Sequence, residues 1–389
     1  MVRIVLTSDN HLNAYYAKMP PRVLMERRRR IRQAWTQVVD YALEHDCHLF
    51  LQAGDMFDMP DPRTTELVAA ARDFRRLHDA GVKVFCIGGT HDVHRMATTG
   101  VLALRIYHET GHAHVFNSAI DPAPVVTEVD GVRIAVGGLS VSHNFGRGDN
   151  PLEGVAFEAD ADFKILLMHY GVEGTIHPDA NEPILTVDAL TQIGVDVVGV
   201  GHIHQHRAKA FGSTTVITPG STERHAFGER GIQPGFYYLE VNEKGLQRCR
   251  HIDVTPQLME DIVIRTPELD EDEPTESLMA RIHDVAREEQ LLKVRVEGPM
   301  TPATFHKLRL RDVYQAGSES NFYFDLDTRG LHVSDAPRLS PVEAGSASIS
   351  QREEIAQVAD ELMAQSDDPE ARALLLEARN RALSNYDLA

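Results

Sequence analysis

Cysteine, long apolar runs and positive charge are all in short supply in this chain of 389 residues. The three cysteines, Cys47, Cys86 and Cys249, are odd in number and none sits in a CxxC spacing. That argues against a disulfide framework and predicts reduced, buried thiols in a cytoplasmic protein. No stretch approaches the ~18 consecutive apolar residues of a membrane span, so no membrane association is expected. The amino terminus opens as a strand, not as a charged segment with an apolar core, so secretion is not expected. Lys and Arg total 39 against 58 Asp and Glu, a formal charge of −19. A chain that coats itself with nucleic acid through one broad basic face is therefore disfavoured. Local basic strips remain at Arg22, residues 27–30 and Arg32, and at Arg72, Arg75 and Arg76. A solvated helix face with local ion pairs is the plainer reading. Arg27, Arg28 and Arg30 are the candidates for any nucleic-acid contact.

What the sequence does contain is a repeated pattern. Residues 49–51 form a short apolar run that ends in Gly54-Asp55. Residues 3–7 (RIVLT) lead to Asp9 and His11, and residues 82–87 (VKVFCI) lead to Thr90, His91 and Asp92. Residues 165–168 (ILLM) stop at His169, and residues 195–200 (VDVVGV) stop at Gly201, His202 and His204. Each run has the length of a buried strand, and each is followed at once by Asp or His. In α/β proteins, sites assemble just beyond the carboxyl ends of strands. Five such ends predict one pocket, with Asp55 at its centre because a carboxylate can face a different cation with each oxygen.

The length predicts two or three units. The first, residues 1–251, alternates strand and helix: strand 3–7, helix 23–44, strand 49–51, helix 63–80 and strand 82–87. A helix over 100–110 follows, then a hairpin of 125–129 and 132–137 around Asp130-Gly131. The second unit, 256–334, predicts strand 262–264, helix 275–289, strand 292–296, helix 302–313 and strand 322–326. It reads as a cap or substrate-positioning module. Residues 335–350 look like a linker. Ser350 with Glu353 is a capping-box pattern that opens a helix. Asp368-Pro369 opens a second one, giving a helical pair over 351–389 that docks either on the body of the protein or on a partner's helices.

Aspartate and histidine without thiolates suit borderline divalent ions, and two such ions ~3.5–4 Å apart clamp a phosphoryl transfer. One predicted set is Asp9, His11, Asp55 and His204; the other is Asp55, Thr90, His169 and His202. Asp55 thus serves both as shared ligand and as a catalytic residue. His91 is placed to donate a proton to the leaving oxygen or to stabilise the transition state, and Asp92 to orient it. Asp58 is expected to support the site from behind the ligands.

Asp9-x-His11, Gly54-Asp55-x-x-Asp58, Gly89-Thr90-His91-Asp92, His169 and Gly201-His202-x-His204 resemble the five-motif signature of calcineurin-like metallophosphoesterases. Their order, with the stretches ILLMHYGVEG, DVVGVGHIH and TPGSTERHAFGE, is similar to the SbcD branch, strongly over residues 1–250 and in layout beyond. The resemblance implies a two-sheet α/β sandwich flanked by helices, with a smaller α/β cap and a C-terminal helix pair. It implies a manganese-dependent exonuclease and endonuclease in double-strand-break repair. Mg²⁺, Fe²⁺ and Zn²⁺ remain open as the metal. It further implies DNA as partner, an SbcC-like coiled-coil ATPase bound through 351–389, and a homodimer. Thr90 departs from the pattern, since the family carries Asn there. A Thr hydroxyl is a shorter and weaker donor than an amide carbonyl, so the second metal is expected to be weakened. Two other readings stand beside the nuclease: a DNA-end-binding scaffold subunit crippled by Thr90, and a phosphatase or cyclic-nucleotide phosphodiesterase of the same superfamily.

Overall fold

The computed structural model describes residues 1–94, 102–174 and 182–333, with scattered helical positions between 360 and 380. Two compact units are present, Met1–Val333 and Ser334–Ala389. The expected linker at 335–350 lies outside the described residues. So does most of the expected helical pair, of which Asp360, Met363, Arg372, Leu375, Leu376 and residues 378–380 are described and helical.

Two six-stranded sheets form the larger part of the first unit. One sheet orders its strands Gly245–Asp253, Gly235–Asn242, Val2–Thr7, Leu49–Gln52, Lys83–Ile87 and His114–Phe116. The other orders Arg207–Phe211, Thr214–Thr218, Val197–Gly201, Phe163–His169, Val132–Gly138 and Val125–Val129. The sheets pack face to face. Ile4, Leu6, Leu51 and Phe85 of the first meet Ile134, Ile165, Leu167 and Val197 of the second in one buried cluster. Because side chains alternate along a strand, Val5 and Phe50 turn to the opposite face. There they meet the helices Pro21–Glu44 and Thr64–Asp79. Strands buried on both faces read as continuous apolar runs, as these do.

The helix Pro21–Glu44 carries Ile31, Ala34, Trp35, Val38, Val39 and Ala42 inward at helical spacing, and Pro21 starts it because its missing N–H would have no partner there. Trp35 meets Phe50 edge-on at 5.5 Å and Phe74 at 5.8 Å. The hairpin forms as its Asp-Gly turn dictates: Val129 pairs with Val132, and Asp130 and Gly131 take φ of 51° and 76°.

Residues beyond 256 build a third sheet, four-stranded, from Met259–Arg265, Leu291–Met300, Tyr323–Asp327 and Leu331–Val333. It has its own core around Ile264, Leu278, Val294 and Phe324. The single helix expected over 302–313 is instead two, Pro302–Lys307 and Leu310–Ser320. The break follows from Thr275, whose hydroxyl donates to the Lys307 carbonyl and accepts from the Arg309 N–H, both at 2.9 Å, drawing off backbone groups that a continuous helix would use. The helix expected over 100–110 is the shorter Arg105–Glu109. Among the cysteines, Cys47 and Cys86 are buried, whereas Cys249 is exposed on an edge strand, against the expectation of three buried thiols. No helix among the described residues is long and apolar enough to cross a membrane.

Candidate active site

Strand register brings the five motifs to one level. Thr7 pairs with Gln52 and Gln52 with Cys86 in the first sheet, and His169 pairs with Gly201 in the second. Since these pairings are parallel, all five chain segments leave their sheets at the same end. The segments after Val2–Thr7 and Leu49–Gln52 then run side by side. Asp9 N–H donates to the Gly54 carbonyl at 3.0 Å, His11 N–H to Asp55 at 3.1 Å and Leu12 N–H to Met56 at 2.9 Å. Asp9, His11, Asp55 and His202 all have positive φ, at 50°, 43°, 52° and 87°. Side chains held in that sparsely populated region are a mark of functional sites, where surrounding structure enforces the conformation. Two glycines make the approach possible. A Cβ on Gly89 would lie 2.3 Å from the Asp55 backbone nitrogen and from its Oδ1. One on Gly54 would lie 2.4 Å from the His169 ring.

The side chains converge. Asp9, Asp55, His11 and His169 are at most 3% exposed. His169 Nε2 lies 3.1 Å from Asp55 Oδ2 and 3.9 Å from Asp9 Oδ1. His11 Nε2 lies 3.8 Å from Asp55 Oδ2 and 3.2 Å from His204 Nε2, and His204 Nε2 is 3.9 Å from Asp9 Oδ1. Three groups of donors lie close enough to surround a cation: Asp9, His11 and His204; Asp9, Asp55 and His169; and His11, Asp58 and His91. Thr90 and His202 line the same cavity of about 380 Å³ as His169, together with Glu182 and His143.

Every histidine of the set has one ring nitrogen held from outside. Asp58 Oδ1 is 3.1 Å from His11 Nδ1, and the Ala53 carbonyl 2.8 Å from His169 Nδ1. Glu229 Oε1 is 2.8 Å from His204 Nδ1, and Glu182 Oε2 is 2.9 Å from His202 Nε2. Such partners fix ring orientation and tautomer and leave the other nitrogen for a metal. The motif pattern predicts Asp58 for this work but neither Glu229 nor Glu182. Glu229 ends the stretch TPGSTERHAFGE, so a signal for it existed; Glu182 had none.

The donor set suits a cation on a further count. His169 Nε2 is buried and has no hydrogen-bond partner among the described residues, despite its nearness to Asp55. Buried carboxylates and an orphaned imidazole nitrogen are costly unless a charge completes them. Burial works against ionising Asp55, but His169 and His11 outweigh it and hold the carboxyl far below its usual range. Burial also opposes charge on His169, yet Asp55 pushes its pKa up to about 10. For His204, Glu229 and Asp9 overcome burial and raise it to about 8. A cation bound here would displace the protons that these carboxylates hold on the histidines.

Two expectations are corrected. Asp92 does not orient His91; its carboxylate accepts from the backbone N–H groups of Met56, Phe57 and Gly89 at 3.2, 2.9 and 3.0 Å, bracing the turns that carry Asp55. The His91 ring is instead held by the Asp58 carbonyl, 3.1 Å from Nδ1. Nor do the arginines present themselves to a phosphate. Arg27 is fully buried, with Nη1 3.0 Å from both Glu223 and Gln257. Arg28 is buried and donates to the Ala14 carbonyl at 2.8 Å. Arg30 pairs with Glu26 and Glu289 and lies 4.4 Å over the Phe322 ring. The helix turns this strip toward the 223–257 segment and the end of the four-stranded sheet, so packing claims the charges.

Similarity to known proteins agrees with this geometry. A family model described as calcineurin-like phosphoesterase matches residues 2–206. The chain is 28% identical to YhaO, an uncharacterized metallophosphoesterase of Bacillus subtilis, over 52% of this chain and 48% of that protein. It is 25% identical to the DNA double-strand break repair protein Mre11 of Haloferax volcanii, over 88% of this chain and 73% of that one. For the Mre11 of Methanopyrus kandleri the identity is 24%, over 65% and 57%. The chain thus spans about half the length of the Bacillus relative. Among solved structures, the TT1561 protein of Thermus thermophilus covers 65% of this chain and 99% of its own at 13% identity and a TM-score of 0.39. With residues 2–206 of 389 matched and the ligand geometry in place, the chain belongs to the calcineurin-like phosphoesterases, a family of metal-dependent hydrolases.

Proposed function

We propose that this chain is a two-metal DNA nuclease subunit that hydrolyses phosphodiester bonds. The observation that carries the reading is the pair of donor groups Asp9/His11/His204 and Asp9/Asp55/His169, which share Asp9 and are buried in all but His204. Asp9, His11, Asp55 and His204 would hold one cation, and Asp55, Thr90, His169 and His202 the other. Divalent ions there, manganese in first place with Mg²⁺, Fe²⁺ or Zn²⁺ as alternatives, would activate water at neutral pH and neutralise charge on the phosphorus oxygens.

The chain's own groups do the rest. His91 donates its Nδ1–H to the Asp58 carbonyl, the assignment in which that oxygen accepts, and so keeps Nε2 to hold a proton for the leaving oxygen. Its side chain is half exposed, at the mouth of the site, within 4.8 Å of the His11 ring. Asp92 keeps the Asp55 turn in its strained shape through three backbone N–H groups. DNA as substrate is supported by the Haloferax relative, named for double-strand break repair and similar over most of this chain. From the motif resemblance alone, residues 256–334 would position DNA, and 351–389 would bind an SbcC-like ATPase in a dimeric assembly.

A manganese assay on linear duplex and circular single-stranded DNA tests the proposal, with Asp55→Ala as control. Cutting of both by the wild type and loss in the variant is expected; cutting that survives in Asp55→Ala would end the mechanism. The second reading, a weakened scaffold subunit, is favoured by one observation, Thr90 on the cavity wall in place of a longer carbonyl donor. DNA binding without cutting at saturating manganese would decide for it.

A further inference from the structure

A second cavity, of about 330 Å³, opens where the first helix meets the four-stranded sheet. Its walls are aromatic, from Tyr15, Tyr16, Phe227 and Tyr323, and Arg27 and His225 line it as well. It is separated from the candidate active site by one ring: His225 lies 4.7 Å from His11 and 5.5 Å from His204, ring centre to ring centre. Tyr15 is 60% exposed, and its N–H donates to Asp58 Oδ2, the same carboxylate whose other oxygen holds His11. The two sites therefore share a wall.

Two residues of its lining carry unmet hydrogen-bonding capacity. Arg27 Nε and His225 Nε2 are buried and have no partner among the described residues. The other Arg27 nitrogens are engaged by Glu223, Gln257 and the Arg224 carbonyl, and the remaining His225 nitrogen is 3.4 Å from the Tyr16 hydroxyl. Buried polar atoms without partners call for an explanation, and a ligand is one. A flat, heteroaromatic ligand with ring nitrogens or carbonyls answers both features, stacking on tyrosine and phenylalanine and hydrogen-bonding at its edge.

We infer that this cavity takes an unpaired nucleobase of the strand whose phosphodiester lies among the active-site histidines. The inference rests on the nuclease reading and deepens it. A base tethered through its sugar to a phosphate in the first site needs to reach past only one imidazole to enter the second. Recognition is by stacking, so it is tolerant of sequence, and it requires the base to leave the duplex. Frayed ends, hairpin loops and single strands would then be held better than the interior of a duplex.

The test uses the full chain in the presence of chelator, with a short fluorescent single-stranded oligonucleotide and an otherwise identical oligonucleotide of abasic sites, read by anisotropy. Wild type should bind the base-containing strand between about fivefold and a hundredfold more tightly than the abasic one. Tyr15→Ala and Phe227→Ala should remove most of that difference and Tyr15→Phe should keep it. Tyr15 is exposed, so its variants should fold, and thermal unfolding checks this. Equal binding of the two strands by a wild type that cuts DNA with manganese overturns the base pocket alone. No binding of either strand together with no cutting overturns the pocket and the nuclease reading at once.

Discussion

Glu229 Oε1 stands 2.8 Å from Nδ1 of His204, and the other nitrogen of that ring faces Asp9 at 3.9 Å. The carboxylate thereby fixes which nitrogen a cation would meet. Removing such a partner typically weakens metal binding by about 10–100-fold. Glu229→Ala should do so for manganese titrated calorimetrically into chelator-treated protein, with Glu229→Gln intermediate. Unchanged affinity in the alanine variant would mean that Glu229 only braces the 225–229 turn, through the His225 N–H it also accepts at 2.6 Å.

Thr90 shares its cavity with His169 and His202, and its hydroxyl is a short arm for a ligand position. Thr90→Asn should tighten the weaker of the two manganese sites by roughly tenfold, a gain of the size seen for well-placed neighbouring groups. Equilibrium dialysis across a range of free manganese reads this directly. Identical binding curves and nuclease rates for both proteins would retire the idea that Thr90 limits the site.

Arg27 and Glu223 form a buried ion pair at 3.0 Å, 0% and 2% exposed. Taking away one member strands the other in a poorly solvating interior, at a cost of about 3–5 kcal/mol. Arg27→Ala should therefore lower the unfolding temperature substantially, by something on the order of 10 °C. An unshifted melting curve would show that the pair adds nothing to stability.

His251 sets an acid limit. Burial, then the neighbouring His206, push its pKa down from 6.5 to about 4 against the pull of Asp253. The folded chain keeps it neutral while the unfolded chain takes up a proton below 6.5. Stability is thus unaffected above that pH and falls as pH drops from 6.5 toward 4, by on the order of 1–3 kcal/mol from this residue. His251→Asn should flatten denaturant midpoints across this window; an equally steep fall in the variant would assign it to other groups.

The site was legible because it is written in runs. Apolar strands ending in Asp9, Asp55, His169 or His202 announce both their burial and their destination, and parallel pairing of adjacent strands is signalled by their continuous apolar runs and the intervening helices. Asp58 could be foreseen from its place three residues after Asp55. Other features could not. Glu182 reaches His202 from a segment with no strand-end pattern, so only the folded chain brings the two to 2.9 Å. Asp92 follows His91 in the chain, yet its carboxylate turns to three backbone N–H groups, because orphaned turn donors beside a buried acid outcompete a ring that stands half in water.

By itself, the order of residues determined the strands that carry the motifs and the two long helices between the first three of them, the end of the sheets where chemistry would gather, and the Asp/His character of the ligands. These depend on periodicity and on covalent sequence, which act locally. The tertiary structure decided which charges are free. Arg27, Arg28 and Arg30 read as an exposed basic strip, but helix rotation and the 223–257 segment bury two of them and pair the third. It also decided that a cavity with aromatic walls lies one imidazole away from the metal ligands. Burial and juxtaposition across some two hundred residues are properties of packing, and no spacing along the chain encodes them.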